Sequence, residues 1–368
     1  MPLVLARTDG EVIRIDAKGS LLDSIVPRGI DVDSICGGKG RCGKCIVKVL
    51  RGQCSPPTRS EIDVLGTDAL NQGYRLACQT FPKGEVELRI FSRGTKKKIL
   101  TSAKNVLLDL DPLVKVDTFA LVQPSITDQK DDLERLMSSA GATAIDHVLL
   151  GKMPGILRQS NWHVDVIMFE KEIVDVLHAG GAAPLGAAVD LGTTTIVLYL
   201  TDLRSGNLVQ VQADYNMQAA HGEDVISRVS YSAENEQNLK RLQELAVSTI
   251  NKLIERSVLE SGVRREQVCD IVVAGNTIML SFLLGANPKY IASAPYTPPF
   301  LKGMRVKAAH LGLNSNKAAY LRTLPCISGY VGADIVADIL VSGMVGDEGP
   351  VMLIDVGTNG EIVLGNKD

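Results

Sequence analysis

The chain has 368 residues, 45% of them hydrophobic and 22% charged, with a formal net charge of −3. That length gives a prior of two or three domains with cores of their own, and the charge excludes a bulk nucleic-acid binder. Aromatic residues make up 4%, with Trp162 the sole tryptophan, which leaves little for stacking on single strands.

The start, MPLVLARTDGEV, lacks the apolar core of a secretory leader. The longest uncharged run, 271–288, contains Gly275, Asn276, Ser281 and Pro288, and reads as a strand followed by a helix rather than a membrane span. The expectation is a soluble, cytoplasmic protein with no nucleic-acid or membrane partner. In that setting seven cysteines, several tightly clustered, point to a metal rather than to disulfides.

Residues 1–94 read as one small unit. LVLARTDGEVIRI is a hairpin with an Asp-Gly turn. GSLLDSIVPRG is a short helix capped by Ser20 and ended by Gly29. A cysteine loop follows, then the strand CIVKVL, a Pro-rich connection and a last strand, EVELRI. Strands enclosing one helix, with the loop beside it, fit a β-grasp ferredoxin. Residues 95–113 read as a linker with a basic start, RGTKKKIL.

Residues 114–180 suggest a small α+β unit. It has the strand VKVDTFALV, a helix capped near Ser125 or Thr127, a second helix AIDHVLLGKM, and the hairpin HVDVIMFEKEIVDVL turning at Glu170–Lys171. From 187 three strands are joined by tight turns, and a helical region follows over about 222–260. Its apolar stripe is Leu242, Leu245, Ala246, Ile250, Leu253 and Ile254. The strand DIVVAG, helix NTIMLSFLLG, strand TLPCIS and helix VGADIVADILVSG complete the order βββαβαβα over 187–345, that of an RNase H-like half. Residues 346–368, with PVMLIDVG, open a second half. The fold class expected is multidomain α+β and α/β.

Cys36, Cys42, Cys45 and Cys78 follow C-x5-C-x2-C-x32-C. Zinc sites usually pair two short knuckles. Three cysteines on one loop and a fourth far off is the plant-type [2Fe–2S] arrangement with one extra residue in the first gap. Gly37, Gly38, Gly40 and Gly43 permit the positive φ values and the inward amides that an anionic cluster needs. Zinc and purely structural thiols are the competing readings. Cys54, Cys269 and Cys326 read as ordinary thiols.

VDLGTTT (189–195) and IDVGTNGE (354–361) each place Asp at a strand end, Gly two residues on and Thr three on. Glycine lets a phosphate approach the backbone, and threonine hydroxyls and turn amides donate to phosphate oxygens. Asp190 and Asp355 can hold Mg²⁺ or orient an attacking water. Gly192, Thr193, Thr194, Gly357, Thr358 and Asn359 would line the phosphates. An ordinary Gly-Thr hairpin is the alternative for either motif alone. NMQAAHGEDVISRV (216–229) offers Asn216, Gln218 and Asp224 either to the cleft or to a polar helix start, and VAGNT (273–277) runs a strand into a helix N-terminus. The five histidines show no ligand spacing.

With these motifs the chain resembles the reductive activators of corrinoid proteins, which join a ferredoxin to an ATPase of the actin/Hsp70/sugar kinase superfamily. The likeness runs through CGGKGRCGKC, YRLACQT, AVDLGTTT, VAGNT, GYVGADIVADIL and IDVGTNGEIVLGN. It implies cluster ligation by Cys36, Cys42, Cys45 and Cys78. It implies phosphate and Mg²⁺ contacts from Asp190, Gly192, Thr193, Thr194, Asp355, Gly357 and Thr358, with ATP and Mg²⁺ bound by the complete protein. It implies a corrinoid protein and a low-potential electron donor as partners, with a homodimer left open. Met217 and His221 depart from what the family leads one to expect. The family is longer at its C-terminus, so the chain is expected to hold only the start of its second ATPase half. A ferredoxin cluster near −0.4 V would pass electrons uphill to a lower Co(II)/Co(I) couple, and a gap of roughly 0.1–0.2 V costs about 2–5 kcal/mol, within the reach of ATP. The rival readings are a plain electron carrier with a structural ATPase half, and a small-molecule kinase with a regulatory cluster.

Overall fold

A computed structural model describes residues 2–7, 12–28, 30, 32, 38–91, 110–181, 183–357 and 360–368. Cys36, Thr358 and Asn359 lie outside the described residues, as do the Asp9–Gly10 turn, Gly29 and the basic link 93–100.

The N-terminal sheet has the order β2-β1-β5-β3-β4, with β1 Leu3–Arg7, β2 Val12–Asp16, β3 Ile46–Arg51, β4 Tyr74–Leu76 and β5 Val86–Ile90. β1 pairs antiparallel with β2 and parallel with β5, so the chain's first and last strands of this unit lie side by side. α1 (Leu21–Ile25) begins in a capping box: Ser20 accepts from the Asp23 amide, and the Asp23 carboxylate accepts from Ser20. It presses Leu21, Leu22 and Ile25 onto Val4, Ile15, Val47 and Leu88, all within 1% of full burial. Each such side chain contributes about 1.5–3 kcal/mol. The connection after β3 is not merely Pro-rich. It contains α2 (Arg59–Asn71), opened by a Thr58–Glu61 capping box and interrupted at Gly66, whose φ of 74° is non-helical.

The second sheet has the order β6-β8-β9-β7: β6 Val114–Ala120, β7 Ala144–Ile145, β8 His163–Phe169 and β9 Glu172–His178. The β8–β9 turn falls at Glu170–Lys171 as expected, with Glu170 at φ 53°. Both helices of this unit lie elsewhere than the sequence suggested. α3 spans Asp132–Ala140 and is capped by Asp131, because Ser125 and Thr127 are engaged with each other and with Asp128 in a turn. The helix expected over 144–153 is absent up to 152: this stretch supplies β7 and a short 3₁₀ turn, and α4 (Met153–Gln159) follows with Pro154 in its first turn.

The third sheet has the order β12-β11-β10-β13-β15-β14: β10 Leu185–Leu191, β11 Thr195–Asp202, β12 Leu208–Tyr215, β13 Val268–Ala274, β14 Arg305–Lys307 and β15 Tyr320–Thr323. β11 runs antiparallel to both neighbours, while β10, β13 and β15 are parallel. That is RNase H-like topology with one added edge strand, β14. β10 begins at Leu185, two residues ahead of the expected start. The helical region 222–260 is two helices, α5 Val225–Ser232 and α6 Glu236–Ser261, each with its own cap, Asp224 and Asn235. The six stripe residues of α6 are all buried, and Leu242, Ala246, Ile250, Leu253 and Ile254 lie in the core of this sheet. α7 (Thr277–Leu283) and α8 (Ala333–Ser342) follow. The strand read at TLPCIS lies earlier, at YLRT, since Pro325 cannot donate to a ladder. Finally β16 (Val351–Val356) pairs with β17 (Gly360–Gly365).

The second and third sheets share a small core of Val114, Ile167, Phe169, Val174, Cys269 and Ala318. Around it Lys307 reaches Glu172 at 2.7 Å and Asp146 at 2.8 Å, and the Asn316 amide donates to Asp175 at 2.7 Å.

Candidate functional sites

The cysteine loop closes over the end of β4. Cys45 and Cys78 are buried with their sulfurs 3.4 Å apart, and Cys42 is part-buried nearby. Cys78 is pulled down to about 7, chiefly by the Cys45 thiol that donates to it, with help from the Gln79 amide and the Gly40 N–H. Cys45 is driven up by the same contact and by burial. Two such thiols cannot both ionise without a cation between them. The Gln79 amide nitrogen lies 3.7 Å from the Cys78 sulfur and 2.7 Å from the Gly38 carbonyl oxygen. Gly38, Gly40 and Gly43 have φ of 83°, 69° and 64°. A Cβ at Gly40 would come within 2.9 Å of Gln79, so the loop can lie this close only with glycine there. Buried thiols, one already near thiolate, with amides aimed at sulfur form a donor set that fits an iron–sulfur cluster. Among the described residues no three His, Cys, Asp or Glu side chains form a ready metal cage, and Cys36 is not among them.

The second site lies at the C-terminal ends of β10, β13 and β15. Gly192 begins the turn between β10 and β11. A Cβ there would meet the Thr195 carbonyl oxygen at 2.5 Å, so turn closure alone demands glycine. Gly275 and Gly332 bring two further segments in: a Cβ on Gly332 would lie 2.3 Å from the Asn276 Cα. Asn276, the cap of α7, donates to the Thr193 hydroxyl at 3.3 Å. Asp190 is pushed up to about 6 by its protein surroundings and then by the charges of Asp334, Asp338 and Asp355. Asp334 and Asp338, one turn apart on α8, are raised as well, by burial first and then by Asp355, as is Glu361 on β17. Asp190 of the first D-x-G-T motif and Asp355 of the second therefore belong to one acidic cluster. The sequence reading missed Asp334, Asp338 and Glu361; an i, i+4 acidic pair in a Gly-rich helix entry was the available signal.

Asn216 and Gln218 are buried behind the first turn rather than lining the cleft. The Asn216 amide nitrogen donates to the Gly192 carbonyl at 2.9 Å, and that of Gln218 to the Leu242 carbonyl at 2.8 Å. Asp224 serves α5 as its cap, accepting from the Ser227 amide at 2.8 Å. Cys54, Cys269 and Cys326 are raised by burial and are not part of either site.

Residues 6–83 match the 2Fe-2S iron-sulfur cluster binding domain, 103–180 the RACo linker region, and 185–347 the RACo middle region. The chain carries the domain series of a corrinoid reductive activator. A solved structure described as a reductive activator for corrinoid, iron-sulfur protein has a TM-score of 0.65 at 33% identity, covering 100% of this chain and 62% of that one. The corrinoid activation enzyme RamQ of Eubacterium limosum is 29% identical over 363 residues, 97% of this chain and 58% of the enzyme. The chain thus spans about three fifths of the length of these activators. Its N-terminal part is also 40% identical over 99 residues to a component of the Na(+)-translocating NADH-quinone reductase of Haemophilus influenzae, 26% of this chain and 23% of that component. No helix among the described residues is long and apolar enough to cross a membrane.

Proposed function

We propose that the protein to which this chain belongs returns the cobalt of a corrinoid protein from Co(II) to Co(I), one electron at a time, with ATP hydrolysis driving the transfer. The observation that carries the reading is a close Cys45–Cys78 thiol pair on the same chain as a cluster of carboxylates around Asp190. Cys36, Cys42, Cys45 and Cys78 would hold a [2Fe–2S] cluster, which supplies a one-electron carrier when bound. Gln79 and Gly40 orient their N–H groups toward the Cys78 sulfur and favour its anionic form.

In the cleft, the turn residues Gly192, Thr193 and Thr194 and their counterparts Gly357, Thr358 and Asn359 would receive the nucleotide phosphates. Asp190 and Asp355 would hold Mg²⁺ or the attacking water. The crowding of carboxylates there favours an incoming divalent cation, which relieves their mutual repulsion. The remaining partners are a low-potential electron donor and the corrinoid protein, and the cytoplasm is the compartment that suits free thiols. The units are proposed as 1–94, 114–180, 187–345 and the opening of a second ATPase half at 346–368.

The test uses the full-length protein with a Co(II) corrinoid protein and a low-potential reductant. Mg-ATP should produce the Co(I) absorption spectrum, and omission of ATP or replacement of Cys42 should each prevent it. Equal rate and extent without nucleotide would replace this reading with a plain electron carrier. ATP consumption with a small acceptor and no response to the corrinoid protein would favour a kinase.

A further inference from the structure

Arg228 is a fully buried cation with no carboxylate within ion-pair distance among the described residues. Its guanidinium donates to the Thr193 carbonyl at 2.6 Å, the Gly222 carbonyl at 2.8 Å, the Gln218 amide oxygen at 3.4 Å and the Met279 sulfur at 3.3 Å. Burial pulls it down to about 9, opposed by the charge of Asp224. A buried charge without a paired ion is costly, yet here it is used to clamp two loops together: the phosphate turn and the Gly222 bend. Asn216, 1% exposed, holds the same turn beside it. Its backbone N–H donates to the Thr194 carbonyl and its side chain to the Gly192 carbonyl, both at 2.9 Å.

The other side of this segment belongs to the iron–sulfur domain. Between Asn216 and Gly222 runs a single 3₁₀ turn, Met217–His221. Met217 and Ala220 pack into the core of the β-grasp sheet. His221, 3% exposed, stacks on Tyr231 at 4.4 Å and places Nε2 3.8 Å from the Asp23 carboxylate at the start of α1. The Arg241 guanidinium donates to the Asp23 carbonyl at 3.1 Å, and Lys39 of the cysteine loop lies 3.6 Å from Glu234.

We infer that the 216–228 segment couples nucleotide occupancy of the phosphate turn to the seating of the iron–sulfur domain. The inference rests on the nucleotide reading above and adds to it a physical route. The peptides at 192–194 are held through their carbonyls by Asn216 and Arg228. Phosphate oxygens drawn to the N–H groups of the same turn reorient those peptides. A short helical turn with buried side chains at both ends transmits the shift instead of absorbing it. Coupling of this kind is reciprocal and typically changes affinity about five- to hundredfold.

The experiment is hydrogen exchange by mass spectrometry on the full-length, cluster-loaded protein, with and without a non-hydrolysable Mg-ATP analogue whose binding is measured separately by calorimetry. The analogue should change exchange in peptides covering 21–28 and 217–222 at least fivefold. His221→Ala and Arg241→Ala, which lie on the iron–sulfur side, should still bind the analogue and lose the response at 21–28. Arg241 is part-exposed, so its removal leaves the folded chain to be read even where His221→Ala unfolds. Saturating analogue with no response at 21–28, or a response unchanged in Arg241→Ala, overturns the coupling and leaves the nucleotide reading standing. Absence of binding by calorimetry overturns both.

Discussion

The Cys45 thiol donates to the Cys78 sulfur across 3.4 Å, in a pocket roofed by a loop with three left-handed glycines. The contact explains why one sulfur is held near thiolate while the other is kept protonated, and why a positive centre between them would be welcome.

Replacement of Cys78 by Ala should therefore abolish the visible absorbance and the bound iron and sulfide, measured after anaerobic purification. Cys54→Ala should leave all three intact, because Cys54 is a part-buried thiol raised chiefly by its own burial. Stoichiometric zinc with no colour in the unaltered protein would refute the assignment.

Gln79→Leu removes the side-chain donor facing the Cys78 sulfur. A donor to sulfur favours the more negative, reduced state, so its loss should lower the midpoint potential. A shift of about 20–60 mV in a spectroelectrochemical titration corresponds to roughly 0.5–1.4 kcal/mol for one electron. An unchanged or raised potential would show that this amide does not tune the centre.

Asp190→Asn should abolish ATP hydrolysis by the full-length protein without altering its visible spectrum. The unaltered carboxyl is raised to about 6, by its surroundings first and then by Asp334, Asp338 and Asp355, so it is neutral on the acid side. Mg-nucleotide affinity should accordingly climb as pH rises through about 6, and the Asn variant should lose that limb. The sign for stability is opposite: without the cation, this group's contribution is present at low pH and is lost as pH rises through the same range.

Glu61 is a buried carboxylate that accepts from Arg75 at 2.8 and 3.0 Å, from the Leu76 amide at 3.1 Å and from the Thr80 hydroxyl at 3.1 Å. Burial alone would raise it, but the bonds from Arg75, Thr58 and Leu76 hold it below its usual 4.5. Glu61→Gln leaves the Arg75 charge buried without a counterion, a loss of about 3–5 kcal/mol. The first thermal transition should fall by more than about 10 °C. In the unaltered protein the carboxylate's contribution is present above the ordinary pKa and lost as pH falls below about 4.5, so acid should destabilise it more than the Gln variant.

What the sequence disclosed was local. The cysteine spacing, the two Asp-x-Gly-Thr motifs, the Ser20 cap and the α6 stripe depend on neighbours a few residues apart, and of these the structure bears out the Ser20 cap and the burial of the α6 stripe. α2 escaped because its pattern is broken at Gly66 and most of its residues face water; the Thr58–Glu61 capping box was the one legible mark. α3 was placed too early because Ser125 looks like a cap while Asp131 is one. Asp334, Asp338 and Glu361 join Asp190 only through the crossing of three sheet-end loops and a hairpin, and the contact of His221 with Asp23 spans about two hundred residues. Such meetings are tertiary and leave no periodic trace.

The shared core between the second and third sheets bears on how the molecule can be taken apart. The gap between the units read in sequence as 114–180 and 187–345 suggests a place to cut. A fragment starting at β10 would uncover Cys269 and Ala318, strip the Phe169 ring from its contact with Tyr320 at 4.6 Å, and leave Lys307 without both of its carboxylates. Dissection that respects this core would keep the second and third sheets together in one piece.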